Sequence, residues 1–328
     1  VSSPASRSRD LRSADSLVIT LIGTGLQADA LRAVAEAVAD GGWCQQEERW
    51  LSLPGAARGC VEWRVCPDDT ADADPAAADL RDRLRGQSSA LGVDIALQVD
   101  DLLRCHRRLI VFDMDSTLVE AEVIDELARA AGSWEQVSGI TERAMRGELE
   151  FADSFRERLA TLRGLSEHHL PTIADGLVIS PGAATLVATL KAAGYRSAIV
   201  SGGFEFFARR LATALGIDDV FANTLAIVDG RVTGEAQGRI IDGQRKAELL
   251  RTIAGSLQLS NEQVIAVGDG ANDLPMLGIA GLGVAYRAKP VVRAAADQAI
   301  THSGLDSILF LLGIPERHWC TAASASDI

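Results

Sequence analysis

The run Val111-Phe112-Asp113-Met114-Asp115-Ser116 delivers two carboxylates, two residues apart, at the end of an apolar stretch. Placed at one site, such a pair divides labour: one acid attacks an electrophile such as phosphorus, and its neighbour handles the proton of the leaving oxygen. Taken alone, the pair also fits a strand that ends in a solvated acidic turn. Ala266-Val267-Gly268-Asp269-Gly270-Ala271-Asn272-Asp273 repeats the arrangement, with glycine-flanked acids after an apolar run. Hard oxygen donors clustered in this way suit Mg²⁺, which takes few protein carboxylates and keeps several waters.

Two further pieces provide for an anion. Ile199-Val200-Ser201-Gly202-Gly203-Phe204 ends an apolar run with a hydroxyl and small residues, so backbone N–H groups can come close to a phosphate. Lys246 follows Asp242-Gly243-Gln244-Arg245 and offers one local positive charge, although a lone lysine is ordinarily a surface residue. The P-loop pattern G-x-x-x-x-G-K-[ST] is absent, so any phosphate site is of another kind.

These residues need strands that end at a common edge. From Arg108 onward, strand candidates (Leu109–Phe112, Ser197–Val200, Val264–Val267, Gly283–Tyr286) alternate with helices such as Ala184–Ala193 and Phe206–Leu215, each closed by glycine. This predicts an α/β unit with a doubly wound parallel sheet, where ligands bind beyond the strand ends. Between its first two strands lie helical stretches at Val123–Ala131, Ser138–Arg146, Phe151–Thr161 and Glu167–Asp175, too long for an ordinary crossover, so they predict a helical cap over about 119–178. Asp229-Gly230 marks a hairpin turn.

Upstream, strands at Leu17–Ile22, around Glu48–Leu53, at Cys60–Val65 and at Val93–Val99 interleave with two helices, the second over Pro75–Gly86. The order is β-α-β-β-α-β, a small α+β module over 15–104 that resembles ACT regulatory domains in pattern. The catalytic unit is expected over 105–315 and to fold by itself, with tails at 1–14 and 316–328.

The 328 residues carry a net charge of −13, which argues against nucleic-acid binding and requires an anion site to be built locally. Five cysteines in no metal-binding spacing point to reduced thiols rather than disulfides or zinc. The Ser/Arg/Ala-rich opening has no apolar core, which predicts no secretory signal, no membrane association and a cytoplasmic location. Gly23-Thr24-Gly25-Leu26-Gln27-Ala28 fits a dinucleotide-binding fingerprint, but a hairpin follows instead of a parallel unit, so it is set aside. His168-His169 has no ligand spacing and reads as solvated, and the tryptophans read as core or interface.

Taken in order, Asp113-Met114-Asp115-Ser116-Thr117-Leu118, Ser201-Gly202-Gly203-Phe204, Lys246 and Gly268-Asp269-Gly270-Ala271-Asn272-Asp273 resemble the phosphohydrolases of the haloacid dehalogenase (HAD) superfamily. Val119-Glu120-Ala121-Glu122 and Phe151-Ala152-Asp153-Ser154-Phe155-Arg156-Glu157-Arg158 are similar to the phosphoserine phosphatases within it. The resemblance implies a HAD-like fold with Asp113 as nucleophile and Asp115 as general acid, then base. It implies Mg²⁺ held by Asp113, Asp269 and the main-chain carbonyl of Asp115. Ser201, Gly202, Lys246 and Asn272 would hold the phosphoryl group, with Asp273 positioning Lys246. Glu122 would meet the ammonium of O-phosphoserine and Arg158 its carboxylate, with Met145, Phe151 and Gly203 around the substrate. A homodimer and an L-serine effector at the ACT-like module accompany this reading. Two alternatives stay open: transfer of the phosphoryl group to another alcohol, and an amino-acid sensor that has lost catalysis.

Overall fold

The computed structural model describes residues 16–24, 26–68 and 73–320, so the expected tail at 1–14 and the end of that at 316–328 lie outside the described residues. The N-terminal unit runs β1 (Leu17–Thr24), α1 (Ala28–Asp40), β2 (Trp43–Trp50), β3 (Arg58–Pro67), α2 (Ala73–Leu91) and β4 (Asp94–Val99), and its antiparallel sheet has the order β2-β3-β1-β4. Leu17, Ile19 and Leu21 point to one face, where they pack with Val34 and Val38 of α1 and Leu80 and Leu84 of α2. The second strand starts earlier than the sequence suggested. Every residue of β2 after Trp43 is exposed, as an edge strand allows, so the apolar alternation that marks a strand is missing.

The other face of this sheet is not free. Ile22, Cys60 and Ala96 share a core with Leu305, Ile308 and Leu309 of the C-terminal unit. The Asp94 carboxylate accepts N–H bonds from Thr301, His302 and Ser303. Gln298 acts as a ladder rung for β4, accepting from Leu97 N at 3.1 Å and donating to Leu97 O at 2.6 Å. Arg58 grips Asp306 through two bonds of 2.7 Å. Glu316–Cys320, expected to open a tail, are fastened as well: Glu316 accepts from Leu53 N at 2.7 Å and Cys320 N donates to Thr189 at 2.9 Å.

After α3 (Leu102–Cys105), β5 (Leu109–Phe112) enters the centre of a seven-stranded sheet. The cap follows as α4 (Val123–Ala131), α5 (Trp134–Met145), α6 (Phe151–Ala160) and α7 (His169–Asp175). Next come α8 (Ala183–Ala192), β6 (Arg196–Phe204), α9 (Glu205–Leu215), β7 (Asp219–Val228), β8 (Arg231–Gln237), α10 (Gly243–Ser256) and β9 (Val264–Gly268). The unit closes with α11 (Leu274–Leu277), β10 (Leu282–Tyr286), α12 (Pro290–Ala295), β11 (Gln298–Ile300) and α13 (Ser307–Leu311).

The sheet order is β11-β10-β9-β5-β6-β7-β8, parallel except that β8 returns antiparallel to β7 through the Asp229-Gly230 turn. β5 is apolar throughout because both of its faces are covered: Ile110 and Phe112 enter one core, Leu109 and Val111 the other. The cap leaves and rejoins the sheet at adjacent points, since Val119 bridges Ile179. Among the described residues, no helix is long and apolar enough to cross a membrane.

Candidate active site

Phe112 pairs with Ile199 of β6 on one side and Val267 of β9 on the other, so the residues that follow these strands converge. β5 and its two neighbours therefore end together where the chain reverses its direction of winding, the crevice in which open α/β sheets bind ligands. A cavity of about 860 Å³ opens there beneath the cap. Asp113, Asp115, Gly202, Gly203, Asp269 and Asn272 form its sheet side. Glu122, Met145, Phe151 and Arg158 line it from the cap side. Ser201, Lys246 and Asp273 are buried beside this floor.

Lys246 Nζ lies 2.8 Å from Asp113 Oδ2 and 2.7 Å from Asp273 Oδ1. Burial alone would lower the lysine pKa, but the two carboxylates override it and raise it above the ordinary value. Asp113 Oδ1 accepts from Met114 N at 2.7 Å. Asp273 Oδ2 accepts from the N–H groups of Asp269 and Gly270, which folds the acidic loop back on itself. Gly268 makes this fold possible, because a Cβ there would stand 2.4 Å from the Asp273 carboxyl carbon.

Carboxylate oxygens of Asp113, Asp269 and Asp273 lie within 4.8 Å of one another. Burial, then Asp113 and Asp273, push the Asp269 carboxyl up to about 8, and Asp273 is raised to about 6, chiefly by burial. Hard oxygen donors crowded until their own charges repel fit a divalent cation. Asp273 accepts from Lys246 and two N–H groups, against two partners for Asp113 and one for Asp269, so Asp113 and Asp269 keep more lone pairs for a metal. The Asp115 carboxylate is outside this group and instead accepts from Val123 N at 3.0 Å. Burial, followed by Glu122 and Asp113, holds it well above the usual carboxylate range.

Ser201 and its glycines sit where β6 slips register against β7, between Val200 and Phe204. This bulge turns the strand end toward Asp115. A Cβ on Gly203 would meet Asp115 Oδ2 at 2.4 Å, so glycine lets the Asp115 carboxylate hold its place. Ser201 Oγ accepts from Gly203 N at 2.9 Å, which leaves its own proton to donate.

Opposite charges face each other across the cap side. Glu122 borders the cavity, and Ser116 Oγ donates to its Oε1 at 2.9 Å. Ser116 holds the left-handed φ of 55°, a strained state for a residue with a Cβ. Burial raises the Glu122 carboxyl pKa, with the Ser116 bond opposing, and burial lowers that of the Arg158 guanidinium. Arg158 itself donates at 3.4 Å to Ser154 O, within its own helix. Met145 is 64% exposed at the rim, beside Lys289.

Several contributors were not legible beforehand. Thr117 donates to Asp269 at 3.1 Å. Asn223 clamps the bulge, donating to Gly202 O at 2.8 Å and accepting from Ile241 N at 2.9 Å. Asp125 and Lys289 add charge to the cavity wall. His168 and His169 join no metal-capable cluster among the described residues, and the five cysteines are free thiols.

The family model of haloacid dehalogenase-like hydrolases matches residues 110–278. The chain is 48% identical over 239 residues to a phosphoserine phosphatase of Archaeoglobus fulgidus, covering 73% of this chain and 70% of that protein. It is 42% identical over 310 residues to a phosphoserine phosphatase of Streptomyces coelicolor, covering 94% of this chain and 73% of that protein. Among solved structures, the phospho-aspartyl intermediate analogue of a phosphoserine phosphatase superposes with a TM-score of 0.59 at 41% identity, over 62% of this chain and 98% of that one.

Proposed function

The chain belongs to the haloacid dehalogenase-like hydrolases, in their phosphoserine phosphatase branch, and from its site we infer that it hydrolyses O-phospho-L-serine to L-serine and phosphate. The observation that carries the substrate is Glu122 with Arg158. Two opposite charges face one cavity and make no ion pair with each other. An amino acid's ammonium and carboxylate supply the missing partners.

Asp113 attacks phosphorus and forms an aspartyl phosphate, while Asp115 gives its proton to the departing serine oxygen. The resulting Asp115 carboxylate then takes a proton from the water that releases phosphate. Lys246, Ser201 and Asn272 carry the charge on the transferring phosphoryl group, and Asp273 holds Lys246 in place. Mg²⁺ is the proposed ion: Asp113, Asp269 and the main-chain carbonyl of Asp115 would hold it, and when bound it would supply positive charge beside the phosphoryl group. The antiparallel βαββαβ unit supports an ACT-like module over 15–104 ahead of a catalytic unit over 105–315. Its exposed edge strand β2 supports homodimerisation there, and L-serine is the proposed effector. Unpaired thiols support a cytoplasmic location.

The test is phosphate release from a panel of phosphomonoesters with and without Mg²⁺, repeated with added alcohols. Release of inorganic phosphate, fastest from O-phosphoserine and dependent on the metal, is expected. Preferential transfer to an added alcohol would replace hydrolysis with phosphotransfer, and no turnover of any ester would return the chain to a sensor.

A further inference from the structure

A second cavity, of about 210 Å³, lies between the two units. On the liquid-volume scale of about 30 Å³ per water, that is room for roughly seven waters, or a solute of similar size. Arg81 and Arg85 of α2 line one side and Arg293 of α12 another, with Asp297 as the acidic member of the lining. The Asp297 carboxylate is engaged by Gly283 N at 2.9 Å.

The arginines are poorly neutralised. Arg81 Nε is buried with no hydrogen-bond partner. Arg85 reaches Asp82 only at 3.9 Å and Ala296 O at 3.4 Å, and Arg293 reaches Thr301 at 3.4 Å. Burial, then the neighbouring Arg85, press the Arg81 guanidinium below its ordinary pKa, with Asp297 and Asp82 opposing but not cancelling them. An unpaired buried donor costs about 1–3 kcal/mol, more when charged, so Arg81 Nε, in a partly open cleft that two further arginines line, calls for an anion.

The cavity also touches the active site through one helix. Pro290, Arg293 and Ala294 of α12 line the second cavity, while Lys289, Val291 and Val292, at the start of the same helix, line the first. We propose that the cleft between α2, β4 and α12, floored by Arg81, Arg85 and Arg293, is a regulatory site for a small oxyanion of carboxylate or phosphate type. An occupant draws α2 and α12 together and acts on the wall of the catalytic cavity through Lys289 and Val291. A ligand shifts an equilibrium only by what it binds differently in the two states, and the bridging arginines, on elements from separate units, provide that difference. The proposal rests on the hydrolysis reading only for its kinetic readout, since binding is measured without substrate.

The experiment titrates the full chain by calorimetry, metal-free, with malonate and, separately, with inorganic phosphate. Wild type is compared with Arg81→Gln, Arg293→Gln and the active-site variant Ser201→Ala. Saturable binding that weakens at least tenfold in both arginine variants and persists in Ser201→Ala is expected. The two probes decide between carboxylate and phosphate. With Mg²⁺ in excess, the tighter probe should change KM for O-phosphoserine in wild type by threefold or more, beyond any effect kept in Arg81→Gln. Without the probe, both arginine variants should turn over within twofold of wild type. No saturable binding, binding indifferent to Arg81 and Arg293, binding lost only in Ser201→Ala, or an occupied cleft with unchanged kinetics would each overturn the proposal.

Discussion

Lys246 Nζ stands 2.8 Å from Asp113 Oδ2 with no part of the lysine side chain open to solvent. The same ammonium holds Asp273, so one buried cation balances two buried acids, and a third, Asp269, is close by. Removing one partner of a buried pair leaves an uncompensated charge, at a cost of about 3–5 kcal/mol. Lys246→Met should lower stability by that order and reduce kcat roughly 100- to 1,000-fold, the loss typical of one charge-stabilising group. Denaturant midpoints and phosphate-release rates read the two effects separately. A variant of unchanged stability would mean that the acids shed their charge by protonation.

The crowded acids also set a pH dependence. The Asp269 carboxyl sits at about 8 in the folded chain against 3.8 as its ordinary value, so between these limits the folded state binds more protons than the unfolded state. Stability therefore falls as pH rises through that window in metal-free protein. A divalent cation needs the ionised form, so its stabilising effect should grow over the same range. Thermal melts at pH 5.5 and 8 should show Mg²⁺ raising Tm more at pH 8. Asp269→Asn should flatten the metal-free profile and abolish the response to metal.

Gly203 offers a steric test of the Asp115 site. A methyl group there would fall 2.4 Å from Asp115 Oδ2 and 2.7 Å from Met114 Cε, so one of them must move. Gly203→Ala should displace Asp115, the proposed proton donor, and cut kcat by roughly 100-fold, the scale of lost general acid catalysis. Substrates with good leaving groups should suffer less, because they need less protonation. Circular dichroism and melting should change little, and a collapse of the fold would assign Gly203 to packing instead.

That Asp113, Asp115, the acidic loop and Ser201 come together was readable because each belongs to a short segment at a strand end, and Lys246 because it opens a helix beside them. Asn223 was not readable. Its role depends on a bulge in β6 and on Ile241, partners 21 and 18 residues away. The same holds for Thr117, whose partner Asp269 is 152 residues distant. β2 was placed late because an edge strand need not alternate. The packing of the N-terminal sheet on the catalytic unit was hidden for a different reason: Asp94, Gln298 and Arg58 look like surface residues until their partners arrive.

Asp94 makes that packing measurable. Its carboxylate accepts from the backbone N–H groups of three consecutive residues, Thr301, His302 and Ser303, and is 2% exposed. Hydrogen bonds to a charged group contribute about 1.5–3 kcal/mol each, and orphaned buried donors add their own cost. Asp94→Ala should destabilise the chain by about 3 kcal/mol or more, and Asp94→Asn, which retains an acceptor, by less. A loss below about 1 kcal/mol in chemical denaturation would show that the two units meet only loosely.

Selectivity is the property that separates one phosphomonoester from another, and phosphate, metal and nucleophile cannot provide it. Glu122 and Arg158 can. Ser116 orients Glu122 with a hydrogen bond of 2.9 Å, and burial makes each of the two charges more costly without a partner. In the proposed reading O-phosphoserine would meet both, its ammonium at Glu122 and its carboxylate at the planar fork of Arg158. Truncating one partner of a desolvated charge pair costs about 2–5 kcal/mol. Glu122→Gln and Arg158→Ala should therefore each lower kcat/KM for O-phosphoserine by roughly 30-fold to several thousand-fold. A generic aryl phosphate lacks both groups, so its kcat/KM should fall by less than about threefold, the scale of a change that leaves the chemical step intact. Ser116→Ala should act in the same direction more weakly, because it frees Glu122 without removing it. Equal losses on the two substrates would mean that Glu122 and Arg158 hold the cap over the site, and recognition of the amino acid would then have to come from other residues of the cavity wall.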